Sequence, residues 1–331
     1  MLQKHGVEAA AARHSMTCET VPVDSSGMID PDLLAKLLSD DVLCVAAMAV
    51  NNEIGTIQEV ACISAACERV GAHFVCDAVQ APLALDMDVA RDGMATLSLS
   101  SHKLYGPKGI GTLYVRRDLQ GGIEPQIHGG QQQSGLRAGT LPVPLCTGCA
   151  AAAEILLSSE AREERSRVAG LRDRFEAGLA GLGADVRYNG RSARRHPGNS
   201  NVAFVGRDGR HLLQPQVAAS SGSACASGIM EPSHVLRAIG LAGEDADSST
   251  RFSFGRFTAE GDVEFALQSI RQTLAEEAGK DGCERQRTGQ SQRPVKFWSR
   301  YTTLITSRSR STPSKIPDRL VTNRKSSVPI R

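Results

Sequence analysis

Val42-Leu43-Cys44-Val45-Ala46-Ala47-Met48-Ala49-Val50 is an unbroken apolar run. It reads as a strand buried on both faces, the kind found in parallel sheets covered by helices. Working outward, residues 58–70 carry Ile63, Ala66, Cys67 and Val70 at helical spacing. Residues 72–76 are again an apolar strand. Strand, helix and strand in this order form a βαβ unit, which implies a parallel sheet with a right-handed crossover. Upstream, Asp30-Pro31 opens a helix over 30–38 as an N-cap and N1 pair. Downstream, 95–100 and 110–115 read as further strands, and 141–157 and 163–182 as long helices.

After Gly183 the texture changes. Short strands are expected at 184–188, 201–205 and 217–220. A helix then starts at Pro232, a strand covers 251–254, and a helix runs over 258–277, with Asp262 in its first turn. The fold class is therefore α/β. A large domain with a mainly parallel sheet flanked by helices covers 1–160, and a smaller α+β domain covers 161–276. Residues 277–331 are expected to form a basic, disordered tail. From Gly279 onward there are 13 Lys/Arg and 3 Asp/Glu, whereas the preceding 278 residues carry 25 and 33, so the net charge of +2 hides an acidic body and a basic end. The tail is rich in Ser, Thr, Arg and Pro without periodicity. A basic tail can contact nucleic acid, but no motif supports that partner here.

At 331 residues the chain can bury a large core. No apolar run reaches the roughly 18 residues of a membrane span, and the first residues show no secretory signal. The nine cysteines are odd in number and lie mostly in apolar segments. That fits reduced thiols in the cytoplasm rather than a disulfide framework. Cys146 and Cys149 form a CxxC without a second pair, inside an Ala/Leu-rich run. A helix face is the expectation there, not a zinc site.

Open α/β sheets bind ligands at the carboxyl ends of their strands. Three polar groups fall at such ends: Asn51-Asn52-Glu53, then Asp77 with Gln80, then Ser100, His102 and Lys103. Singly, each has a plainer role. Asp77 could cap a helix, Asn51 and Asn52 could form a polar turn, and Lys103 could be a solvated loop lysine. Together they suit a pyridoxal phosphate enzyme. A carboxylate such as Asp77 keeps a pyridine nitrogen protonated, and the protonated ring draws electrons from the substrate Cα. Gln80 can donate to the ring's phenolic oxygen. Lys103 can condense with the aldehyde and later move a proton. Ser100, His102 and, further on, Thr140 can bond the phosphate. In the second half, Ser220-Ser221-Gly222-Ser223-Ala224-Cys225-Ala226-Ser227-Gly228 places a cysteine in a Gly/Ser-rich loop. By itself Cys225 could also be an unreactive surface thiol. Arg251 can grip a substrate carboxylate through two parallel bonds, or sit in a surface ion pair.

Seven ordered segments resemble the cysteine desulfurases, the class V aminotransferase-like branch of the fold-type I pyridoxal phosphate enzymes. They are Val50-Asn51-Asn52-Glu53-Ile54-Gly55, Asp77-Ala78-Val79-Gln80, the run 100–111, Gly135-Leu136-Arg137-Ala138-Gly139-Thr140-Leu141-Pro142, the run 221–225, Glu231-Pro232-Ser233-His234-Val235-Leu236-Arg237, and the run 251–258. The Ser-Gly-Ser-Ala-Cys loop resembles the group that feeds iron–sulfur cluster assembly and tRNA thiolation. The resemblance implies L-cysteine as substrate, with Arg251 and Asn52 holding its carboxylate. It implies Lys103 moving the Cα proton, and Cys225 taking the sulfur as a persulfide, with alanine released. It also implies a sulfur-acceptor protein and a homodimer in which Thr140 reaches the partner subunit's cofactor. Two neighbouring readings are a selenocysteine lyase or an aminotransferase-like enzyme. A third is an inactive fragment that acts only as a binding partner.

The chain departs from the family's pattern in several places. The family's large domain begins well before residue 1, so its Gly-rich phosphate loop and N-terminal arm have no counterpart. His5 is the candidate for the family's ring-stacking histidine. Gln131 and Ser134 stand where the family has a Gly-Gly-Gly run and an arginine ahead of Gly135. The expectation is an N-terminally truncated member of the family.

Overall fold

A computed structural model describes residues 2–191, 193–207, 209, 213, 216–220, 233–241, 243–284 and 304–306. The chain opens with helix α1 (Leu2–Arg13) and a short strand β1 (Thr17–Glu19). Helix α2 (Pro31–Leu37) starts where expected. The Asp30 carboxylate accepts the amides of Asp32 at 2.9 Å and Leu33 at 3.2 Å, and Pro31, which has no N–H to satisfy, holds the first position. The apolar run becomes β2 (Val42–Met48). It is followed by α3 (Val60–Arg69) and β3 (His73–Asp77). Ile63, Ala66 and Cys67 of α3 are buried, as their spacing predicts. Then come β4 (Thr96–Ser100) and β5 (Gly111–Val115).

Strands β2, β3 and β4 lie side by side and parallel, with Met48, Asp77 and Ser98 in register. Strand β5 closes one flank antiparallel to β4. On the other flank β9 (Leu304–Thr306) is inserted between β1 and β2, antiparallel to both. It lies inside the segment read as tail and pairs backbone groups that an edge strand would otherwise expose. The core of this layer gathers Val45, Val50, Ile63, Phe74, Cys76 and Leu97.

Two long helices, α4 (Val143–Leu157) and α5 (Glu160–Ala180), lead to a second, antiparallel sheet. Its strands are β6 (Val186–Asn189), β7 (Asn199–Phe204) and β8 (Ser249–Ser253), in the order 6-7-8. Between β7 and β8 lie the short helices α6 (His234–Ala238) and α7 (Gly243–Asp247). The final helix α8 (Glu260–Glu284) extends past the expected start of the tail. Phe175, Phe204, Phe252 and Ile270 form the second core.

The strand expected at 217–220 is reduced to one bridge, Ser220 with Arg251. The helix expected from Pro232 begins at His234, because the Ser233 hydroxyl caps it by accepting from Val235 and Leu236. Cys225 and most of the tail lie outside the described residues. Cys44, Cys62, Cys67, Cys76, Cys146 and Cys149 form no disulfide among the described residues. No helix among them is long and apolar enough to cross a membrane, and no group of residues there could hold a metal ion.

Candidate active site at the strand ends

The carboxyl ends of β2, β3 and β4 carry the three predicted groups. Asp77 is the last residue of β3, one strand away from Ser100 at the end of β4. Its Oδ1 accepts the Val79 amide at 3.1 Å. It has no ion-pair partner among the described residues, and burial pushes its carboxyl above the ordinary range. Gln80 follows in the next turn, half-buried.

Ser100 and His102 are joined, Oγ to Nδ1, at 2.9 Å. Lys103 ends a 3-10 turn, Ser101–Lys103, directly after β4. It is exposed, and its ammonium is unpaired among the described residues. Two residues later Tyr105 has a φ of 64°, a left-handed conformation rarely taken by a bulky residue. Three contacts hold it there. Its hydroxyl accepts the Arg256 amide at 2.8 Å, the Arg256 guanidinium lies 5.0 Å from its ring centroid, and Phe257 meets the ring edge-on at 5.8 Å.

The turn after β2 is locked by Asn51, whose Oδ1 accepts the amides of Glu53 at 2.8 Å and Ile54 at 3.0 Å. The second sheet packs onto this turn. Asn199 and Asn201 both donate to the Glu53 carbonyl, at 3.3 and 3.1 Å. Gly55, with φ of 78°, is needed here, since a Cβ would sit 2.9 Å from Asn199. From β8, Arg251 donates Nη1 to the Asn52 carbonyl at 2.8 Å. Its Nε is buried without a partner among the described residues. The Glu53 carboxylate, buried on the other side of the turn, accepts from the Ser233 hydroxyl.

Asn52, Arg251, Asp77, Ser100, His102 and Lys103 thus all stand on the turns and strands that border these ends. Thr140 is exposed in the loop before α4, with no hydrogen bond to the group. His5 is exposed on α1, with Nδ1 3.4 Å from Glu8. Cys225 lies in 221–232, whose two flanks are both fixed at the site. Ser220 pairs its backbone with Arg251, and Ser233 bonds Glu53. Glu53 and Ser233 lie within the sequence motifs, but the sequence alone assigns neither a role. The available signal was an acid set between Asn52 and Ile54, directly after a buried strand.

A cluster of this composition fits pyridoxal phosphate. It offers a half-buried carboxylate with acceptor capacity left over, an unpaired lysine, and a hydroxyl and imidazole suited to an anion. The model of the family described as aminotransferase class-V matches residues 5–265, and the chain belongs to that family.

Within it the chain is similar to cysteine desulfurases. "Cysteine desulfurase IscS" of Ruthia magnifica subsp. Calyptogena magnifica is 41% identical over 248 residues, which are 74% of this chain and 61% of that protein. A solved NifS-like protein superposes with a TM-score of 0.69 at 31% identity, covering 77% of this chain and 67% of the other. A solved structure of SspA in complex with cysteine superposes with a TM-score of 0.61 at 32% identity, covering 72% and 66%. The chain therefore spans about three fifths to two thirds of the length of these relatives. Pyridoxal phosphate is the cofactor of the family.

Proposed function

We propose that this chain is a pyridoxal phosphate-dependent cysteine desulfurase that takes sulfur from L-cysteine onto Cys225 and releases L-alanine. The observation that carries this reading is the convergence at adjacent strand ends of Asp77, the Ser100–His102 pair and Lys103, with Arg251 tied to the neighbouring Asn52. Pyridoxal phosphate, when bound, supplies an electron sink for the substrate Cα. Asp77 would hold the pyridine nitrogen protonated, and Gln80 would donate to the ring oxygen. Ser100 and His102, with Thr140, would bond the phosphate. Lys103 would anchor the cofactor and move the proton at the substrate Cα. Arg251 and Asn52 would hold the substrate carboxylate, and the unpartnered Nε of Arg251 supports this. The Cys225 thiolate would attack the substrate sulfur. A sulfur–sulfur bond forms, the carbon–sulfur bond breaks, and its electron pair stays on carbon to be protonated as alanine. The persulfide would then pass to an acceptor protein for iron–sulfur cluster assembly or tRNA thiolation.

The same reading divides the chain into a cofactor-binding domain over 1–160, a smaller domain over 161–276 and a tail. It includes a homodimer, supported by exposed Leu141 and Val143 beside exposed Thr140, and a cytoplasmic setting, supported by thiols such as Cys67 and Cys76 that form no disulfide among the described residues. The test is a visible absorption spectrum of the purified chain with added pyridoxal phosphate, before and after borohydride, followed by an alanine-release assay with L-cysteine. A reducible band mapping to Lys103 together with alanine release is expected. No band, or release of free aldehyde alone, would sink the reading.

A further inference from the structure

Glu53 is among the most deeply buried side chains of the molecule, 2% exposed. It is fixed at every polar atom group. Its amide donates to Asn51, its carbonyl accepts from Asn199 and Asn201, and its carboxylate accepts from Ser233. Asn201 is also the register partner of Arg251 across β7 and β8. The turn, the two strands and the guanidinium therefore form one mechanical unit.

The carboxylate is close enough to act electrostatically on Arg251, yet its hydrogen bond goes to a serine hydroxyl. That choice has a consequence. A direct two-bond pair with Glu53 would occupy one edge of the guanidinium. Bonded to Ser233 instead, the carboxylate offsets the cost of burying the cation and leaves the buried Nε without a partner among the described residues. The only bond of Arg251's side chain to a described residue goes to a neutral acceptor, the Asn52 carbonyl.

We infer that Glu53 is a positioning residue for Arg251, and that Ser233, by holding the Glu53 carboxylate aside, keeps the guanidinium open for the α-carboxylate of an amino acid. This rests on the reading of Arg251 as the carboxylate-binding residue.

The test uses the full chain with pyridoxal phosphate added, and ligand-observed NMR titrations with L-alanine and with ethylamine, which lacks the carboxylate. Thermal melts run in parallel. The original chain should prefer L-alanine, and Arg251→Ala should abolish the preference. Glu53→Gln, isosteric and uncharged, should reduce the preference by about tenfold, equivalent to about 1.4 kcal/mol. Ser233→Ala should reduce it similarly, because the released carboxylate closes onto the guanidinium. A Glu53→Gln protein that melts earlier but keeps its preference would show a merely structural residue and overturn the inference. Should Glu53→Gln fail to fold, Ser233→Ala decides by the same criterion. If Arg251→Ala keeps the preference, or the original chain has none, the role of Arg251 falls and this inference falls with it. Loss in Arg251→Ala but in neither of the other variants overturns the inference alone.

Discussion

The amide of Arg256 donates to the Tyr105 hydroxyl at 2.8 Å, across 151 residues of chain. This bond joins the loop that follows Lys103 to the loop that follows the strand of Arg251. It holds Tyr105 in a left-handed conformation that costs about 1–3 kcal/mol for a non-glycine residue. Backbone strain two residues from the candidate cofactor lysine is stabilised by contacts from the other sheet.

Tyr105→Phe removes the hydroxyl and keeps the ring contacts. A loss of about 1 kcal/mol is expected, read as a fall of a few degrees in a thermal melt, with weaker pyridoxal phosphate binding in a spectral titration. Gly255→Ala should cost more, since its Cβ would lie 2.5 Å from the Tyr105 hydroxyl. Equal stability of the variants and the original chain would show the latch to be idle.

Lys103→Ala is expected to abolish covalent cofactor attachment while leaving the fold intact, because the side chain is exposed and unpaired among the described residues. Absorption before and after borohydride, followed by peptide mass analysis, reads this directly.

Cys225→Ala should keep the cofactor band and lose sulfur transfer. Sulfide release that persists in this variant would remove Cys225 from its assigned role as nucleophile.

Glu176 of α5 is buried, with Arg195 at 2.7 Å and the Ser200 hydroxyl of β7 donating at 2.7 Å. Glu176→Gln leaves the Arg195 charge without its counter-ion. A cost of about 3–5 kcal/mol is expected by urea unfolding, since breaking a buried pair from one side strands a charge. A cost below about 1 kcal/mol, the range of surface pairs, would contradict this.

His196 gives a pH dependence of defined sign. Its Nδ1 accepts the Gly198 amide at 3.0 Å, which favours the neutral ring protonated at Nε2. Burial, aided by Arg172, lowers its pKa from 6.5 to about 4. Between those values the unfolded chain binds the proton more readily. His196 therefore contributes its full stability above pH 6.5 and loses it as the pH falls toward 4. The loss is at most about 3 kcal/mol. His196→Asn should flatten the difference over this window. Asp77 and Glu53 act with the opposite sign, because burial raises both carboxyls. The comparison between the variant and the original chain isolates the histidine.

Much of the first sheet was legible before any coordinates. The apolar run around Val45, the face of Ile63, Ala66 and Cys67, and the Asp30-Pro31 helix start depend on local periodicity and capping, which neighbouring residues decide. The strand-end positions of Asp77 and Lys103 follow from that pattern. Strand β9 and the short helix α7 were not legible. A three-residue strand is defined only by the chains it pairs with, and a five-residue helix is too short to show a period.

The sequence by itself therefore determined the βαβ plan, the family and the residue types at the ends of the parallel strands. Each of these is written in contiguous stretches of chain. The tertiary structure alone decided which distant residues hold the site. Glu53 and Ser233 stand 180 positions apart, and Asn52 and Arg251 stand 199 apart. No local preference encodes such pairs. They exist because two sheets pack against one turn, and a buried carboxylate and a buried guanidinium must each find a polar partner when water is excluded.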